Sequence, residues 1–174
     1  MKIRNILASL LAIVTISTCS TASAGMYVFG GAGIMSHEYG NVSNPTAFKF
    51  GAGYMAPSNF GFEASYMNLG KAVIVSPNGS LEMSGTNFSG VFELPLNPLV
   101  MTFKLGIYNI DATAVTTSSA SATSSGLSWG FLLGYQTSEN VTLFMDTEGF
   151  NSVDAAGTFP ETPALITFGV RVKL

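Results

Sequence analysis

Few residues of this chain have the types and spacing that chemistry requires. Ser36-His37-Glu38 holds the sole histidine. A serine, a histidine and a carboxylate are the parts of a hydrolytic relay, in which the base must reach the nucleophile and be oriented by a third group. Consecutive residues of an extended chain point alternately to opposite sides, so Ser36 and Glu38 cannot both face His37. A nucleophile would have to come from another loop, and a solvated polar loop explains the trio more simply. Gly51-Ala52-Gly53-Tyr54-Met55-Ala56 matches a dinucleotide-binding fingerprint by letter. That fingerprint opens a helix, whereas Pro57-Ser58-Asn59 turns the chain. No group of histidines, cysteines or carboxylates has metal-ligand spacing, so no metal and no cofactor is expected. What remains is a set of charges, Lys49, Lys104, Arg171 and Lys173 against Glu63, Glu93, Asp146 and Glu148, whose chemistry is mutual pairing.

The elements that position these charges follow first from composition. The chain has 174 residues, 47% hydrophobic and 10% charged, with a mean hydropathy of +0.40. Soluble domains carry about 25% charged residues, so the usual solvated surface is lacking. That argues against disorder, and seven basic against ten acidic residues argue against nucleic-acid binding. No window offers the roughly 18 consecutive apolar residues of a membrane-spanning helix. Residues 1–24 have the layout of a secretory signal peptide: Lys2 and Arg4, an apolar run over 6–16, and Ala22-Ser23-Ala24 as the cleavage site. The mature chain then starts at Gly25. Cys19, the one cysteine, falls in the leader, and Thr18 before it is a poor fit for a lipidation site. The mature chain has no thiol and hence no disulfide.

From Gly25 onward the apolar period is two, the mark of half-buried strands. Phe48, Phe50, Ala52 and Tyr54 alternate with Lys49, Gly51 and Gly53. The same alternation runs through 60–66, 99–108, 127–136 and 166–174, and more weakly through 26–35, 84–94 and 141–149. It predicts eight strands of about ten residues, enough to cross a bilayer when tilted. Short turns at 57–59, 95–98 and 137–140 alternate strictly with longer connections at 36–45, 69–83, 111–125 and 150–163. An up-and-down membrane barrel has that rhythm. The Ser/Thr/Ala-rich stretch 111–125 has no bulky residue beyond Val115 and is expected to be a mobile loop. Asn-x-Ser/Thr matches at Asn41, Asn78, Asn87 and Asn140 carry no weight, two of them falling in or beside strands.

One parity of these strands holds aromatics and large aliphatics, the other glycine, serine, threonine and the charges. An eight-stranded barrel is only wide enough for side chains to fill it. Bulky residues from every strand would overfill it, so the apolar parity must face outward, which lipid alone tolerates. Tyr54, Phe60, Phe92 and Tyr135 stand beside the short turns, where an interfacial aromatic girdle belongs. The eight charges then point into the lumen. There they are expected to close the barrel as a charge-balanced network of mutually neutralising pairs, the alternative being a gate that re-pairs to open a small pore.

The stretch FKFGAGYMAPSNFGFEASYMNLGK over 48–71 resembles the second and third strands of OmpA-like eight-stranded outer-membrane barrels. MYVFGGAGIM resembles their first strand and ITFGVRVKL their closing strand. The resemblance covers the mature chain, 25–174, and implies an all-β, eight-stranded antiparallel up-and-down transmembrane β-barrel in the outer membrane of a Gram-negative bacterium. Leu174 stands where the family usually ends in phenylalanine, and no peptidoglycan-binding domain follows. Members serve as structural proteins, small gated pores or host-contact proteins, and some eight-stranded barrels are lipid A enzymes. The expected role is structural or surface contact, not catalysis, with the gated pore and the lipid A enzyme as competitors. Expected partners are outer-membrane lipid and lipopolysaccharide, the barrel-assembly machinery, and host or neighbouring surface molecules at the loops.

Overall fold

A computed structural model describes residues 25–37, 43–74, 79–115, 119–154 and 160–174. The leader, Glu38, Asn41 and Asn78 lie outside the described residues. Each apolar alternation becomes a strand: β1 (Met26–Ser36), β2 (Thr46–Met55), β3 (Phe60–Ile74), β4 (Gly79–Leu96), β5 (Leu99–Val115), β6 (Ser119–Gln136) and β7 (Val141–Phe150). A small hairpin of β8 (Val153–Asp154) and β9 (Pro160–Glu161) precedes β10 (Ala164–Lys173). Barrel neighbours pair antiparallel, and β10 pairs with both β7 and β1, closing the barrel. Closure satisfies backbone groups without water, the condition a bilayer imposes. No helix among the described residues is long and apolar enough to cross a membrane.

The short turns are built by residues suited to them. Asn59 takes the left-handed conformation at φ 63°, which asparagine tolerates, and its N–H donates to the Ala56 carbonyl at 3.0 Å. Beside the turns Phe60 and Phe92 pack with ring centroids 4.7 Å apart, and Tyr135 is exposed. Higher on the wall Phe50, Phe62, Phe88, Phe103, Leu105, Ile107, Leu127, Trp129 and Phe168 all face outward as an apolar belt. The face assignment expected from the lumen's width is the one observed.

Two expectations fail. The connections 69–83 and 111–125 are strand for most of their length. β3 has 15 residues, β4 and β6 have 18, and β5 has 17, against 10 or 11 in the other barrel strands. β3 to β6 therefore rise together as a four-stranded wall beyond the rim of the rest. Nor is 111–125 loose where it is described. Ala112 pairs with Ala122 and Ala114 with Ala120, while Asp111 accepts a hydrogen bond from the Thr123 hydroxyl at 2.6 Å and Thr113 meets Ser121 at 3.3 Å.

The physical reason is a phase inversion inside the strands. Along β5, Phe103, Leu105 and Ile107 face outward with Thr102, Lys104 and Gly106 inward. From Tyr108 the apolar parity switches: Tyr108, Ile110, Ala112 and Ala114 are buried, and Asn109 and Asp111 are exposed. β4 does the same, with Leu81 and Met83 buried above and Phe88 outward below. The chain continues as strand, but its exterior changes from a lipid-type to a water-type surface. In β3 a bulge at Gly70 absorbs the change. Gly70 has φ +83°, its N–H donates to the Asn68 side-chain oxygen at 3.0 Å, and Leu69 and Ala72 are both buried on either side of it.

Candidate functional site: a two-tier barrel lumen

Nearer the short turns the lumen is an ion-pair network. Lys49 on β2 contacts Asp146 at 2.9 Å and Glu148 at 2.5 Å, both on β7. Lys104 on β5 contacts Glu63 at 2.8 Å, Asp146 at 3.0 Å and Glu148 at 3.9 Å. Arg171 on β10 contacts Glu63 on β3 at 3.2 Å and Glu93 on β4 at 2.7 Å. The chain of contacts runs unbroken from Glu148 to Glu93 and ties six of the eight barrel strands across the bore. All of these side chains are buried except Glu93, which is 19% exposed at the turn end. Lys173 stands apart. It is exposed at the turn end and joins no ion pair among the described residues.

Aromatic rings complete this tier. The Tyr27 hydroxyl donates to Glu63 at 2.9 Å, and the Arg171 guanidinium lies 4.6 Å from the Tyr27 ring centroid. Lys49 and Lys104 Nζ lie 5.5 and 5.6 Å from the Phe29 centroid, and Phe144 packs edge-on against Phe29. Bulky side chains in the lumen run against the expectation that they would overfill it. Glycines at the paired positions of the adjacent strands make the room: a β-carbon on Gly51 would lie 2.7 Å from Phe29 Cζ, and one on Gly130 3.0 Å from Glu148 Cγ. Sequence reasoning missed Tyr27, Phe29, Phe144 and Leu132, all buried. The signal was present as parity, since Phe144 is in phase with Asp146 and Glu148, and Tyr27 and Phe29 with Gly31 and Gly33.

The second tier lies nearer the long connections and is apolar. Met35, Met67, Leu69, Ile110, Phe150 and Leu165 form one buried cluster, closed over by Val153 from β8. The Tyr108 ring meets Phe150 edge-on with centroids 5.4 Å apart, and its hydroxyl donates to the Asn151 carbonyl. Between the tiers Ser128 donates to the Asn87 side chain at 2.8 Å. Ser36 ends β1 and His37 follows it, its N–H donating to the Asn44 side chain at 3.4 Å, while Glu38 lies outside the described residues. No group of metal-ligating side chains occurs among the described residues.

The fold and its filled bore define an eight-stranded, closed, all-antiparallel barrel of the outer-membrane type. Solved structures with this fold include Neisserial surface protein A, at a TM-score of 0.66 and 16% identity over 87% of this chain and 98% of that one. The N-terminal barrel domain of Pseudomonas aeruginosa OprF superposes at 0.61 with 15% identity, covering 85% and 96%. The attachment invasion locus protein Ail of Yersinia pestis superposes at 0.57 with 15% identity, covering 84% and 98%. No family model and no curated protein sequence matches the chain.

Proposed function

We propose that the protein is an integral outer-membrane barrel of a Gram-negative bacterium, exported by cleavage after Ala24, with a structural or surface-contact role and a closed lumen. The apolar belt would anchor it, and the wall formed by β3 to β6 would meet the exterior. The observation that carries this reading is the second tier. A gated pore draws on Lys104, which has three carboxylates within 3.9 Å and so could exchange partners. Such re-pairing leaves Met67, Ile110, Phe150 and Leu165 across the bore. An ionic switch alone therefore opens half a channel, which conducts nothing.

Two similar folds belong to proteins whose names place them at surfaces, one a surface protein and one an attachment and invasion protein. That agrees with a contact role. Lipopolysaccharide, the barrel-assembly machinery and host or neighbouring surface molecules are the partners this role calls for. The lipid A enzyme reading rests on His37 alone and would require altered lipid A on overexpression. The deciding experiment pairs a heat-modifiability gel on the outer-membrane fraction with conductance in a planar bilayer. A mobility shift with no conductance fits the closed barrel. A stable conductance that changes when Lys104 or Glu63 is neutralised would install the pore instead.

A further inference from the structure

We infer that the outer wall carries a binding groove for a glycolipid, its acyl chain held among belt residues and its sugar headgroup against the polar wall above. The inference rests on the proposed membrane location and deepens it by placing a site for the class of lipid to which lipopolysaccharide belongs. Rows of outward side chains across β2 to β6 can be traced through the strand register. One row runs Tyr54, Phe62, Gly90, Leu105, Trp129 and the next Ala52, Ala64, Phe88, Ile107, Leu127. Above them come Phe50, Tyr66, Thr86, Asn109, Ser125, and then Phe48, Asn68, Ser84, Asp111, Thr123. The exterior thus passes from apolar to polar within two rows.

At that boundary the belt has a dent. Ala64 and Thr86 occupy positions where neighbouring places in the belt hold Phe or Tyr, and the ridges Phe50–Tyr66 and Phe88–Ile107 stand on either side. The resulting groove has a volume of about 680 Å³ and an almost wholly apolar lining. That falls within the size range of ligand clefts, roughly 300–1,000 Å³. Directly above it lies a second recess of about 330 Å³, lined by Asn68, Lys71, Glu82, Ser84, Asp111 and Thr113. Tyr66 borders both, so the apolar groove and the polar recess adjoin at its ring.

The chemistry of the two halves selects the occupant. The lower half faces the belt's own solvent and suits an alkyl chain lying along the wall. The upper half offers hydroxyl, amide and carboxylate groups. Its one cation, Lys71, is already held by Glu82 at 2.7 Å, and Asp111 adds a further negative charge. An anionic group seated in this recess is therefore disfavoured, whereas the headgroup's sugar hydroxyls can donate to Glu82 and Asp111 and accept from Asn68 and Ser84. Tyr66 at the junction supplies an aromatic ring of the amphipathic kind that sits where chain meets headgroup.

The test uses the folded protein in dodecylphosphocholine micelles, titrated with dodecyl maltoside, which has a 12-carbon chain and an uncharged sugar head. Backbone amides are followed by NMR. Saturable shifts are expected at Ala64, Tyr66, Ser84 and Thr113, and none at Phe168 or Val170 on the opposite wall. Ala64→Phe should abolish saturation in both halves, and Ala64→Leu serves if that variant folds poorly. Asp111→Ala with Ser84→Ala should weaken binding by about tenfold, the loss of roughly one strong hydrogen bond, while the chain-side shifts persist. Shifts that grow linearly around the whole belt would overturn the groove. So would saturation unchanged by Ala64→Phe, or equally strong saturation by dodecyldimethylamine oxide, which lacks the sugar. A retained heat-modifiability shift in each variant separates failure of the groove from failure of the barrel.

Discussion

Lys104 is the residue whose loss the lumen should feel most. Its ammonium bridges Glu63 and Asp146 at 2.8 and 3.0 Å, with Glu148 at 3.9 Å, and every partner is buried. Lys104→Met keeps the stem and removes the charge. Glu63 then retains Arg171 and Tyr27, and Asp146 retains Lys49, but four carboxylates face two cations where they had faced three. Breaking a buried pair by deleting one partner costs about 3–5 kcal/mol. The retained partners place this case toward the lower end of that range. Glu63→Gln in the same chain relieves part of the imbalance, so the double variant should be more stable than the sum of the singles by about 0.5–3 kcal/mol. Lys71→Met is the control, because the Lys71–Glu82 pair is 2.7 Å long but exposed on both sides and should contribute at most about 1 kcal/mol. The assay is urea unfolding from lipid vesicles, read by the fluorescence of Trp129, the sole tryptophan, which lies on the belt. A Lys104→Met chain as stable as the Lys71→Met control, or additive single variants, would refute the network as a structural tie. A conducting Lys104→Met chain would refute the two-tier seal.

Four further outcomes follow from the same geometry. Leu105→Arg, at the most exposed large belt residue, should cost about 2–4 kcal/mol in vesicles, whereas near-neutral stability there would mean that the belt does not face lipid. Met67→Ala in the apolar tier should cost about 2–5 kcal/mol by the same unfolding assay and leave the barrel non-conducting, since the ionic tier is untouched. Gly130→Val should displace Glu148 and lower stability by about 1–3 kcal/mol, and an unperturbed unfolding midpoint would show that the glycines are not needed for room. Thr123→Val removes the hydroxyl bonded to Asp111 on a wet, exposed surface, so a change beyond about 1.5 kcal/mol would contradict its placement.

The barrel was legible because its lower half obeys one rule in the clear strands, with Val100 and Leu132 the inward apolar exceptions. Phe48 to Tyr54 and Phe60 to Tyr66 alternate against Lys49, Gly51, Gly53 and Glu63, and both sets fall on the expected faces. Seven of the eight charges expected in the lumen meet there because strand parity fixes direction even when partners are unknown. Lys173 shows the limit of parity, which sets the face but not the depth: it lines the open turn-end mouth and is exposed there. The upper wall was illegible for the opposite reason. At Ile107–Tyr108 the apolar parity inverts, and an inversion looks the same on paper as the end of a strand. Alanine facing alanine across β5 and β6 then passes for low complexity, although Ala112 and Ala114 are buried.

The inversion also explains why the lumen has two chemistries. Beside the belt the exterior is apolar, and apolar side chains can be satisfied there without entering the bore. Burial inside gives them little advantage over lipid contact. What ties the strands together at that height must be directional, and the contacts from Glu148 through Lys49, Asp146, Lys104, Glu63 and Arg171 to Glu93 span six of them. Beside the wet wall the balance reverses. Asn109, Asp111 and Ser125 face outward, and the one place where Ile110, Met83 and Leu81 can escape water is the interior. The medium outside each height of the barrel thus biases what fills it: charges dominate beside the belt, where Tyr27, Phe29, Leu132 and Phe144 share the bore with them, and apolar side chains alone form the cluster beside the wet wall. If the lumen is closed as proposed, opening a passage requires both tiers to yield, although a shift of charge reaches only the first.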